Sequence, residues 1–135
     1  MPESYLEHIK KLSTEVGELL KFKDKLIDAL NSSSEGIALL DEEGKYIWLN
    51  KAHSEMFGYC HTELIGKSWE ILYRKEDLQF FYDNAFPELE KNGKWHGESV
   101  GIKKDGKTLV KESVYLTSLK DGGLICTCIS LEDNE

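Results

Sequence analysis

The stretch G-I-A-L-L-D-E-E-G-K-Y-I-W-L-N-K-A-H-S-E-M-F-G-Y-C-H-T-E-L-I-G, residues 36–66, decides the fold. Two apolar runs, 36–40 and 46–50, flank the polar turn Asp41-Glu42-Glu43-Gly44. That is a hairpin pattern, and Gly44 can take the positive φ such a turn needs. Asn50 stands where the second strand gives way to helix, so its side chain reads as a cap for the orphan N–H groups of 52–57. That helix is too short to stand alone, and Gly58 stops it as a C′ residue. Thr62 offers an N-cap for one further turn at 63–65, closed by Gly66.

On the N-terminal side, residues 3–30 read as one helix. Ile9, Leu12, Val16, Leu19, Leu26 and Leu30 fall on alternating three- and four-residue steps, a heptad seam with Lys23 at one interior position. Leu6, Leu20 and Ile27 widen the stripe, so the helix can fold onto its own domain or pair with a second copy in a parallel coiled coil. The spacing favours the pair. The small polar run Asn31-Ser32-Ser33-Ser34-Glu35 competes with helix for the backbone and forms a hinge. The expected division is a helix over 1–30 and a domain over 31–135.

On the C-terminal side, 68–75 reads as a loop. A longer helix then starts at Glu76, with Leu78, Phe81, Ala85 and Leu89 spaced for a buried face. Pro87 lies inside that pattern and predicts a kink or break just before it. Asn92-Gly93 is a stop. Three strands follow, 95–103, 108–118 and 124–131, joined by the turns Lys104-Asp105-Gly106 and Lys120-Asp121-Gly122-Gly123. The last strand is nearly continuous in apolar residues, which predicts cover on both faces. The whole is an α+β arrangement: five antiparallel strands with helices on one side.

Bulk properties narrow the function. The 135 residues suffice for one domain with one sizeable core, and 40% hydrophobic content suits a soluble protein. A net charge of −8 argues against a nucleic-acid surface. No apolar run approaches the ~20 residues of a membrane span, and Met1-Pro2-Glu3-Ser4 does not open a signal region. The expected location is cytoplasmic, with neither nucleic acid nor membrane as partner. Of the cysteines Cys60, Cys126 and Cys128, the last two share a face if their segment is a strand. They read as core fillers rather than a metal or redox pair, because no C-x-x-C and no nearby His completes a set. No nucleophile elbow, Walker loop or H-E-x-x-H occurs, Glu42-Glu43 sits in a turn, and nothing resembles a kinase's phosphoacceptor or ATP region. An enzyme is not expected.

The ordered set Asp41, Gly44, Tyr46, Asn50, Ala52, Gly58, Tyr59, Glu63, Leu64, Ile65 and Gly66 resembles the opening of a PAS domain. Its second half continues in Trp95, Gly97, Glu98, Lys104-Asp105-Gly106 and Asp121-Gly122-Gly123. The resemblance covers 31–131. It implies a sensing and dimerisation module that binds a ligand between the sheet and the longer helix. The family often ends in D-I-T-E, a link to an output domain; Ser130-Leu131-Glu132-Asp133 stands there instead. An output partner, whether histidine kinase, cyclic-nucleotide enzyme or transcription regulator, is therefore expected outside this sequence.

The resemblance also bears on cofactors. Light-sensing flavin members carry G-x-N-C-R-F-L-Q where this chain has Gly66-Lys67-Ser68-Trp69-Glu70-Ile71-Leu72. Trp69 replaces the reactive Cys, which rules out a covalent flavin adduct and leaves non-covalent flavin open. Haem members use a His on the longer helix, and 76–91 contains none; His53, His61 and His96 lie elsewhere. The pocket residues expected are Ile37, Leu39, Met56, Phe57, Trp69, Leu72, Phe81, Ala85, Val100, Val114, Cys126 and Cys128. With Phe57, Trp69 and Phe81 filling space, the expected cavity is small and excludes haem. The expected function is a sensory PAS module that dimerises through its N-terminal helix and binds a small ligand, with a redox sensor holding flavin non-covalently as the alternative.

Overall fold

The computed structural model describes residues 2–131, so Glu132 and Asp133 of the linker-like ending lie outside the described residues. The chain divides into two compact units between Ser32 and Ser33.

The first unit is one helix, α1 (Pro2–Asn31). Its seam residues Ile9, Leu12, Val16, Leu19 and Leu26 are all exposed, and Leu30 is half-buried. Asp28 and Ala29 carbonyls both accept from the Ser32 N–H, which ends the last turn.

The second unit is built on five antiparallel strands: β1 (Gly36–Leu40), β2 (Tyr46–Leu49), β3 (Lys94–Ile102), β4 (Leu109–Ser118) and β5 (Leu124–Ser130), in the order β2-β1-β5-β4-β3. The β1–β2 turn forms as the sequence predicts, with Gly44 at φ 80° and the Asp41 carboxylate accepting from the Glu43 and Lys45 N–H groups. Asn50 caps α2 (Lys51–Phe57): its Oδ1 accepts from the His53 and Ile37 N–H groups, and its Nδ2 donates to the Glu35 carbonyl. One side chain thus ties the helix start to β1 and to the segment before it. Gly58 closes the helix at φ 77°.

Four details depart from expectation or refine it. The next turn, α3 (His61–Leu64), starts at Cys60 rather than Thr62, because the Glu63 carboxylate reaches back to the Cys60 N–H at 2.7 Å. The segment 68–75 is not all loop: Trp69–Leu72 is a 3₁₀ turn whose Glu70 N–H donates to the Ser68 hydroxyl. The longer helix is disturbed just before Pro87, as expected, but without a break. It runs as α4 (Lys75–Phe80), a π turn (Phe81–Ala85) and α5 (Phe86–Asn92), with the Phe86 N–H reaching the Phe81 carbonyl. The wider π turn absorbs the ring and the missing donor of Pro87 at the start of α5, where a proline is tolerated. Finally, within the single chain β5 is not fully covered on both faces. Cys128 is buried on the inner side, while Ile129 is exposed on the other.

The core lies between the inner sheet face and the helices. It contains Ala38, Leu40, Leu49, Phe57, Leu64, Leu72, Phe81, Ala85, Leu89, Val110, Val114 and Leu116. Phe81, Ala85 and Leu89 carry the helical layer into it, as their spacing predicts; Leu78 is only half-buried.

Candidate functional site

Between sheet and helices lies a cavity of about 30 Å³. That is room for one or two water-sized bodies. Its floor is the inner sheet face: Leu40 of β1, Tyr46 of β2, Glu112, Val114 and Leu116 of β4, and Leu124, Cys126 and Cys128 of β5. Its walls are His53 of α2, Trp69 and Tyr73 at the 3₁₀ turn, Phe81 in the π turn and Phe86 at the start of α5. The aromatic wall is continuous. Trp69 meets Phe81 at 5.4 Å, Tyr73 at 5.7 Å and Phe86 at 5.7 Å between ring centroids, and Tyr73 meets Phe81 edge-on at 4.9 Å.

Against this apolar wall the cavity carries buried polar groups. Glu112 has 0% exposure. The Tyr73 hydroxyl donates to its Oε2 at 2.7 Å, and its Oε1 has no partner among the described residues. Burial pushes the Glu112 carboxyl up to about 7, even though the Tyr73 hydroxyl favours the ionised form. His53 is 1% exposed, with the Tyr46 hydroxyl 3.5 Å from its Nε2 and no described partner for its Nδ1. Burial lowers this imidazole to about 4, so it is neutral at pH 7. Burial raises the Tyr46 and Tyr73 hydroxyls well above the usual phenol range, and the neighbouring Cys126 together with burial does the same for the Cys128 thiol. At neutral pH, Glu112 is therefore the group in the cavity wall poised between charged and neutral.

Of the expected pocket residues, Trp69, Phe81, Val114, Cys126 and Cys128 come together around the cavity. Ile37, Leu39 and Val100 do not. Directly paired residues share a sheet face, and Ile37 and Leu39 pair with Thr127 and Ile125, across the sheet from Cys126 and Cys128. Val100 pairs with the exposed Lys111, while its neighbour Gly101 pairs inward with Val110. Phe57, Leu72 and Ala85 are buried core rather than cavity wall, and Met56 packs against that core half-buried. Glu112, His53, Tyr46, Tyr73, Phe86, Leu40, Leu116 and Leu124 were missing from the expected set. Glu112 had a readable signal, a carboxyl on the inward parity of Val110, Val114 and Leu116. His53 had one too, four residues before buried Phe57 on the same helix face.

Gly97 and Gly101 mark where β3 passes close to the interior. A Cβ at Gly101 would stand 2.6 Å from the Phe57 ring and 3.3 Å from Glu112 Oε2, so the glycine lets Phe57 and the carboxylate occupy that place. No cluster of three or more His, Cys, Asp or Glu side chains among the described residues could hold a metal, and no described helix is long and apolar enough to cross a membrane.

Short helices roofing one face of a 2-1-5-4-3 antiparallel sheet, around a small interior cavity, define the class of this α+β domain. Residues 34–133 match the PAS domain family, and the chain belongs to it. Solved structures agree in fold. One is the PAS domain of a protein from Colwellia psychrerythraea, 22% identical, TM-score 0.73, covering 84% of this chain and 97% of that one. A second is the PAS domain, in complex with ethanol, of a LuxR-family transcriptional regulator from Burkholderia thailandensis. It is 18% identical with TM-score 0.69, covering 77% of this chain and 95% of that one. A third is a domain of a sensory box sensor histidine kinase/response regulator from Geobacter sulfurreducens, 22% identical, TM-score 0.65, covering 81% and 95%. No curated protein matches the sequence.

Proposed function

We propose that this PAS domain is a sensory and signalling module that binds a very small molecule in its interior cavity and dimerises through α1. The single observation that carries the reading is the cavity itself: an aromatic wall enclosing a fully buried carboxyl with one oxygen unpaired. Buried polar atoms are ordinarily satisfied, and one left open beside a cavity favours a ligand or water there. The ethanol complex of the Burkholderia thailandensis domain supports a ligand of this size in a domain of this fold. The exposed heptad seam Ile9-Leu12-Val16-Leu19-Leu26 supports the dimer. The histidine kinase and transcriptional regulator that contain related domains support an output partner of one of those classes; a cyclic-nucleotide enzyme is the remaining option.

Non-covalent flavin is the alternative. It would require Trp69, Phe81 and Phe86 to leave the space they fill, since the cavity is far below the ~300 Å³ at which sites for drug-sized ligands begin. The visible absorption spectrum of the purified protein, with mass spectrometry under native conditions, separates the two. A colourless protein is expected. Stoichiometric flavin absorbance would replace the small-ligand reading with the flavin one, and a stoichiometric Soret band would contradict both.

A further inference from the structure

We propose that the cavity recognises a small ammonium cation, ammonium itself or a methyl-substituted amine, through the Glu112 carboxylate and the aromatic faces around it; this rests on the small-ligand reading above. The geometry supplies each part of such a site. Glu112 sits at 0% exposure with Oε2 held by Tyr73 and Oε1 open. A buried carboxylate without a counter-charge is costly, and among the described residues no Lys or Arg lines the cavity to supply one. The remaining wall is built from the aromatic rings of Trp69, Tyr73, Phe81 and Phe86, a residue type whose π faces attract a cation, and it carries no basic group to hold an anion. The volume admits a body the size of one or two waters, which fits ammonium or methylammonium and excludes longer amines.

The groups facing Glu112 from every neighbouring element leave the cation role open. Tyr46 on β2, Tyr73 after the 3₁₀ turn and Ser99, paired with Glu112 from β3, are neutral hydroxyls, and Cys126 and Cys128 on β5 are thiols. His53 on α2 is held neutral by burial, so it does not neutralise Glu112 near pH 7. Its Nδ1, without a described partner, becomes a second acceptor for an ammonium N–H in the tautomer that carries the proton on Nε2.

Titration of the intact chain with methylammonium chloride, and with methanol as an uncharged probe of similar size, followed by NMR, tests this. Sodium chloride at matched concentration controls for ionic strength. The wild type should prefer methylammonium by about tenfold or more. Because the ligand needs ionised Glu112, its affinity should fall about 30-fold from 1.5 pH units above 7 to 1.5 below. E112Q should lose the preference and the pH dependence while keeping a dispersed spectrum. If E112Q does not fold, the wild-type selectivity and pH profile decide alone. Methanol binding as tightly as methylammonium, without pH dependence, would overturn the ammonium assignment and leave the small-ligand reading standing. Saturable binding of neither probe would overturn both.

Discussion

Glu112 and His53 share one cavity and are shifted in opposite senses, which gives the folded protein a pH signature. The Glu112 carboxyl rises from 4.5 to about 7, so the folded state keeps a proton the unfolded chain has lost. Its stabilising effect is complete below pH 4.5 and is lost as pH rises towards 7. The His53 imidazole falls from 6.5 to about 4, so stability is intact above 6.5 and is lost as pH falls towards 4. Between 4.5 and 6.5 the two slopes oppose and largely cancel. In E112Q the His53 slope remains alone, and stability should rise by about 2 kcal/mol across that window while the wild type stays nearly level. Urea denaturation of both proteins across that pH range measures it; parallel curves would contradict the placement of Glu112. The sequence made some of these residues legible and hid others. Asn50 was readable because a cap acts over three residues, within reach of local pattern. Ile37, Leu39 and Val100 were misplaced because face depends on pairing with a strand distant in sequence, and a one-residue slip exchanges the faces.

At the scale of elements, the hairpins and caps follow from turn chemistry, whereas the π turn does not. Pro87 announces a disturbance, but how the helix absorbs it depends on the packing of Phe81, Ala85 and Phe86 against the sheet. The α1 seam is legible in the same local way, from spacing alone, but its partner is not, because a heptad records what a helix buries and not which chain buries it. The proposed dimer makes a firm prediction. Val16→Glu with Leu19→Glu places two carboxylates in the apolar seam, at a cost of several kcal/mol to association. Both positions are exposed in the single chain, so the PAS unit should keep its stability. Sedimentation equilibrium should show a wild-type dimer and a variant monomer. A variant that remains dimeric would remove α1 from the interface.

At the scale of the molecule, the order of elements was enough to read the fold. The ordered glycines, the Asn50 cap and the strand-turn pattern converge on one topology, which is the consistency that specifies a fold. The cavity was not readable to the same degree. Its size is a small difference between large volumes, set by how Trp69, Tyr73, Phe81 and Phe86 interlock, and no sequence pattern encodes that difference. The account's central claim is that this space receives a small molecule. The most direct measurement is a ¹H–¹⁵N NMR titration of the whole chain with ethanol, following the Trp69 indole N–H and the backbone amides of Tyr46, Glu112 and Cys128. The account predicts saturable shifts concentrated at these residues, with the exposed outer-face residues Tyr115 and Ile129 little changed. Shifts that grow linearly with ethanol and spread over the exposed residues would contradict it.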